Sequence, residues 1–93
     1  MTQPRDDEAA ARFAAIERQF VAGLPRRLQE IDAAPDAQAR YAALHRLAGA
    51  AGAFGHARLG ELARQAMGTD AAADATLQVL REEIGRLVDA RPG

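Results

Sequence analysis

The sequence lacks most of the residues that perform covalent catalysis. Its 93 residues include no cysteine, no serine and no lysine. These absences exclude disulfides, cysteine-ligated zinc and the usual serine, cysteine and lysine nucleophiles. No glycine-rich loop precedes a lysine, so the sequence predicts no phosphate-binding loop for a nucleotide. If this chain performs covalent chemistry, one of its two histidines, His45 or His56, must carry it.

The sequence also lacks an excess of charge and a long apolar run. Its 12 basic residues, all arginine, oppose 13 acidic residues, which leaves a net charge of −1. This balance predicts no basic surface for nucleic acid or an anionic membrane. Residues 1–8 are polar and acidic, unlike a signal peptide, and no apolar run approaches the roughly 18 residues that span a membrane. We therefore expect a cytoplasmic protein that binds neither nucleic acid nor membrane.

Every long segment has apolar residues at helical spacing, and none alternates like a strand. Alanine, the strongest helix former, is abundant throughout. The pattern predicts a long first helix followed by helices over 37–53, 57–67 and 71–90. Because short connections force neighbouring helices to run antiparallel, we predict an all-α, up-down four-helix bundle. Residues 1–93 form one domain in this interpretation, with 1–5 and 91–93 as flexible tails.

The first helix carries an apolar stripe with steps of three or four residues. The stripe consists of Phe13, Ile16, Phe20, Leu24, Leu28 and Ile31. Gly23 and Pro25 interrupt this segment, and proline inside a helix clashes with the carbonyl four residues earlier. The segment is either one helix kinked at Pro25, which the continuous stripe favours, or two helices with Pro25 in the first turn of the second. We expect all three phenylalanines in the core.

His45 lies on the flank of the helix predicted over 37–53. At about 100° per residue, it is displaced by about 100° from Leu44, which marks the core face. Gly49 and Gly52 fall beside it, and each glycine costs a helix about 0.8–1 kcal/mol relative to alanine. The two glycines either leave the imidazole open to another molecule or let a neighbouring helix pack closely.

The remaining candidates point to structural roles. No histidine or carboxylate lies three or four residues from His45, so no metal site is predicted there. We expect His56 to be a solvent-exposed residue near the start of the next helix. Tyr41 is expected at the edge of the core, with its hydroxyl at the surface.

The segment 45–55 carries a motif of a histidine, a leucine, a glycine, two small residues and a closing apolar-glycine pair. These positions are His45, Leu47, Gly49, Ala50, Ala51, Phe54 and Gly55. The motif resembles the signature of histidine-containing phosphotransfer (Hpt) domains. The resemblance extends to the preceding helix over 20–33 and to the apolar positions of the following helix, and so covers nearly the whole chain.

The resemblance implies a four-helix bundle that carries a phosphoryl group on one exposed histidine, here His45. Such domains exchange the group with the aspartyl phosphate of a response-regulator receiver domain, which also supplies the metal ion. The expected partners are a receiver domain, a hybrid histidine kinase or both, and the protein is expected to be a monomeric phosphocarrier without a cofactor. The expected partner surface around His45 consists of Ala42, Arg46, Ala48, Gly49 and Gly52.

One position departs from the family's motif. Where the family usually has a lysine, three residues after the histidine, this chain has Ala48. Arg46 is the nearest cation in the sequence and is a candidate to replace that lysine in part. The departure leaves an alternative open, namely a helical adaptor or inhibitor that binds a receiver or kinase without phosphotransfer. A subunit of a larger complex with an incidental histidine is a third interpretation. The 93 residues are too few for an ATP-binding kinase domain.

Overall fold

Five helical segments account for nearly all of residues 4–90, the part of the chain that the computed structural model describes, with side chains described from residue 7 onward. The segments are α1 (Pro4–Ala22), α2 (Leu24–Ala33), α3 (Ala37–Ala53), α4 (Ala57–Gln65) and α5 (Ala71–Asp89). The all-α prediction is confirmed. Residues 4 and 5, expected in a tail, are helical, whereas the remaining tail residues, 1–3 and 91–93, lie outside the described residues.

A single residue, Gly23, separates α1 from α2. Its φ of −85° and ψ of −5° are right-handed helical values, and its N–H donates to the carbonyl of Gln19 at 3.0 Å. Pro25 lies in the first turn of α2, where its missing N–H leaves no hydrogen bond unmade. The interruption therefore has the two-helix form rather than the favoured kink. With α1 and α2 counted as one interrupted arm, the four-helix prediction is confirmed.

Side-chain and backbone caps define both ends of α3. The Asp36 carboxylate accepts the N–H of Ala39 at 2.8 Å and begins the helix. Gly55 ends it with φ +77°, the left-handed value that an L side chain rarely adopts. Beyond it, the N–H of His56 donates to the carbonyl of Ala51 at 2.9 Å, as in a Schellman motif. This turn sets the direction in which the chain enters α4.

The bundle has a square arrangement in which α2 and α4 each pack against both α3 and α5. The largest fully buried side chains are Val21, Leu24, Ile31, Leu44, Leu47, Leu59 and Leu80. Between α3 and α4 the residues are small. A Cβ added at Gly60 would lie 3.5 Å from the carbonyl oxygen of Ala48 and 3.6 Å from the Cβ of Ala51. Glycine at position 60 therefore lets α4 approach the α3 backbone.

The apolar stripe of α1 and α2 is only partly buried. Phe20 is in the core, but Phe13 and Ile16 are 52 % and 50 % exposed. The Phe13 ring contacts the half-buried Phe54 at a centroid distance of 5.8 Å. The expectation that Phe13 is a core residue is wrong, because a periodic stripe identifies the apolar face of a helix and not how far the neighbouring helices extend along it.

Candidate functional site

His45 is exposed on α3, and its ring lies beside an aromatic ring of the same helix. The ring of Tyr41, one turn earlier, lies parallel to the imidazole, with 5° between the planes and 6.2 Å between centroids. Tyr41 is 52 % exposed, so the prediction of a core-edge position is wrong. Helical side chains lean toward the preceding turn, which brings residues four apart together. The four-residue spacing of Tyr41 and His45 could therefore have predicted that their side chains lie close together.

The two glycines beside His45 leave open space. Gly49 and Gly52 are exposed, and a Cβ added at either position would meet no atom within 4 Å. Close packing of a neighbouring helix therefore does not explain these glycines in the described part of the chain. The α3 surface next to the imidazole is bare backbone, which leaves room for atoms of another molecule.

The predicted partner surface is accessible except at one position. Ala42 is half-buried, and Arg46 is exposed. Ala48, in contrast, is 5 % exposed and belongs to the hydrophobic core, so its inclusion in a partner surface is corrected. The physical reason is its place on the core side of α3, where α4 covers it at Gly60.

Arg46 and His45 lie in different electrostatic surroundings. The Arg46 guanidinium lies 4.0 Å from the Glu30 carboxylate of α2, in an exposed pair of the kind that contributes little stability. Within residues 7–90, no carboxylate or hydrogen-bonding group lies within bonding distance of the His45 ring, and no cluster of three metal-ligating side chains occurs. The described residues around His45 therefore leave its imidazole open and place no carboxylate or cluster of metal ligands beside it.

His56 contrasts with His45 and corrects a second expectation. Its Nε2 lies 2.9 Å from the Glu17 carboxylate of α1, and only 20 % of its side chain is exposed. Its ring also lies 5.6 Å from that of Phe20. The turn at Gly55 carries His56 toward α1, so this histidine is a packing residue rather than an exposed cap. A ring held by these contacts is poorly placed to meet a second protein.

One of the comparisons with known proteins gives a match. The model of the Hpt domain family matches residues 7–90. The chain belongs to the Hpt domain family. Membership implies a phosphotransfer function in phosphorelays, and Hpt domains generally interact with receiver domains and kinases. The searches of curated proteins and of solved structures found no match.

This Hpt domain is helical over the matched residues, and its motif histidine is exposed. Across residues 4–90, none of its helices combines the length and apolar character needed to cross a membrane.

Proposed function

We propose that His45 is the phosphoacceptor of this Hpt domain and carries a phosphoryl group between receiver domains, or between a hybrid histidine kinase and a receiver. The observation that carries the proposal is the exposed imidazole beside two open glycines, within the family's histidine motif. On this proposal the domain acts as a monomer in the cytoplasm and as a phosphocarrier without a cofactor of its own.

The chemistry requires only a neutral imidazole in the correct position. The neutral form has one unprotonated ring nitrogen, which is the nucleophile. The lone pair of the unprotonated ring nitrogen attacks the phosphorus, and an N–P bond forms. The bond from phosphorus to the receiver's aspartyl oxygen breaks and leaves a carboxylate, while the other ring nitrogen keeps its proton. The receiver provides the metal ion, and the Hpt domain provides position.

The docking surface is the strip of α3 around His45. Ala42, Arg46, Gly49 and Gly52 form it, and Tyr41 extends it toward the start of the helix. Small side chains lose little conformational entropy on docking. Because a carrier must release each partner, we expect a transient interface that buries at most about 1,200 Å² in total.

The test is transfer of labelled phosphate from phosphorylated receiver domains to the wild-type chain, His45→Gln and His56→Gln. Wild type and His56→Gln should both form an acid-labile, base-stable product, whereas His45→Gln should form none. Label on His45→Gln would refute the assignment.

The adaptor alternative has one observation in its favour, the alanine at position 48. It predicts that the wild-type chain binds a receiver domain and takes up no label. A binding measurement alongside the transfer assay therefore separates the two functions.

A further inference from the structure

Arg64 of α4 lies across the junction between α3 and α4. Its Nη1 is 3.7 Å from the point that a Cβ on Gly60 would occupy, and that point is 3.5 Å from the carbonyl oxygen of Ala48. Gly60 is buried although it has no side chain, because the Arg64 guanidinium and α3 lie against it. The guanidinium therefore lies beside the turn of α3 that contains Ala48.

His45 is on the same edge of α3 as this junction. The opposite edge faces α2, where Arg46 meets Glu30. At about 100° per residue, His45 lies about 60° around the helix axis from Ala48 and about 100° from Arg46, so it is nearer to the α4 side of α3. His45 and the Arg64 side chain thus border the same face of the α3–α4 pair.

The two residues also lie at similar heights in the bundle. Because α3 and α4 run antiparallel, Arg64, one turn after Gly60, lies about one turn nearer the start of α3 than Gly60 does. Gly60 is level with Ala48 and Ala51. The backbone of Arg64 is therefore level with the turn of α3 that holds His45.

The Arg64 guanidinium is available for an anion. Its side chain is 55 % exposed, and it donates to the Glu61 carboxylate at 3.0 Å. Hydrogen bonds from Arg64 and Gln65 hold the pKa of Glu61 below its ordinary value. An exposed pair of this kind is weak, whereas a phosphoryl group offers several anionic oxygens that match the arginine fork. A phosphoryl group on His45 can compete with Glu61 for this cation.

We propose that Arg64 binds the phosphoryl oxygens at His45 and supplies from α4 the positive charge that Ala48 cannot supply from α3. The inference rests on the proposed role of His45. On this inference, α4 contributes to the phosphoryl site. The cation that binds the phosphoryl oxygens then comes from outside the histidine motif.

The first experiment compares Arg64→Gln with Arg58→Gln, which removes the same charge from the same helix. Arg58 is exposed and lies near Glu83 of α5, away from α3. Transfer from a phosphorylated receiver should be about three- to tenfold slower for Arg64→Gln than for wild type, as expected for loss of an exposed charge-assisted contact. Arg58→Gln should match wild type, and Arg64→Lys should retain part of the rate. Equal rates for Arg64→Gln and wild type would overturn the inference.

A second measurement distinguishes binding from a structural role. The protein is phosphorylated directly with phosphoramidate, and the phosphohistidine is titrated by ³¹P NMR. A nearby cation favours the dianion, so the second phosphoryl pKa should be higher in Arg64→Gln than in wild type, with Arg58→Gln unchanged. An unchanged titration midpoint would show that Arg64 does not contact the phosphoryl group.

The outcomes also separate this inference from the proposed function. If the wild-type chain takes up no phosphoryl group on His45, the proposed function is wrong. If His45 is labelled at the same rate in wild type and in Arg64→Gln, only this inference is wrong.

Discussion

His45 and His56 belong to one stretch of chain but meet opposite surroundings. His45 lies on the exposed flank of α3 beside two glycines and one parallel tyrosine ring. His56 follows the turn that ends α3, bonds the Glu17 carboxylate at 2.9 Å and packs against Phe20. The difference shows that accessibility separates a candidate nucleophile from a packing residue of the same chemical type.

The region around His56 is also denser in charge. Glu83 of α5 is a buried carboxylate that accepts two hydrogen bonds from Arg86, at 2.9 and 2.6 Å. These bonds lower the pKa of Glu83 despite its burial, and the charges of Arg58 and His56 act in the same direction. The His56 region therefore ties α1, α4 and α5 together, whereas the His45 region leaves one face of α3 open.

The largest expected effect comes from filling the open space beside His45. Gly49→Gln should slow phosphotransfer by about ten- to a hundredfold, because a longer side chain displaces the partner's reacting group. Gly49→Ala, the matched control, should add up to about 1 kcal/mol to the free energy of unfolding. Transfer rates and circular dichroism check both. Loss of the helical signal in Gly49→Gln would show instead that this glycine is required for folding.

Next in size is the effect of removing the buried carboxylate near His56. Glu83→Ala should lower the free energy of unfolding by about 1–2 kcal/mol at pH 7, since the charge-assisted bonds from Arg86 are lost. Urea denaturation measures this, and Glu82→Ala, at an exposed neighbour, is the control. A loss no larger than that of the control would contradict a stabilising role for Glu83.

The same carboxylate predicts a pH dependence. Because the pKa of Glu83 is lower in the folded chain, its stabilisation is present above the unfolded-state pKa of about 4.3. It is lost as the pH falls from there through the folded-state pKa. In Glu83→Gln this part of the acid-induced loss should be absent. Identical acid profiles for the variant and wild type would refute the assignment.

A smaller effect is expected from separating His56 and Glu17. A double-mutant cycle with His56→Ala and Glu17→Ala should give a coupling free energy of about 0.5–1 kcal/mol at pH 7, as for one partly buried hydrogen bond. Hydrogen exchange in α1 should rise in both variants while transfer to His45 stays unchanged. Slower transfer in these variants would show that the contacts of His56 affect the reaction at His45.

The smallest effect is expected at Arg46. Arg46→Ala should weaken docking or slow transfer by about two- to threefold at low salt and less at high salt, because an exposed charge is screened. Rates measured across ionic strength, with the exposed Arg26→Ala of α2 as control, decide this. A rate that is unchanged at every salt concentration would remove Arg46 from the partner surface.

The sequence by itself determined the all-α class, the bounds of α3 and the position of the histidine motif. Helical spacing, the Asp36 cap and the left-handed Gly55 are local features, and the observed bounds of α3 match those predicted. The flank position of His45 follows from the helical repeat in the same way. Local interactions favour such features, so they can be predicted without knowledge of the tertiary contacts.

The tertiary structure decided which of these residues are covered. It buries Ala48 beneath α4, leaves Phe13 and Ile16 exposed, and pairs His56 with a carboxylate far away in the sequence. It also places the Arg64 guanidinium against Gly60 at the junction of α3 and α4. Burial and ion pairing depend on where neighbouring helices lie and how far they extend. The helical period of a sequence carries no information about either. The motif therefore located the proposed phosphoacceptor, whereas the packing of α1 and α4 determined what surrounds the two histidines.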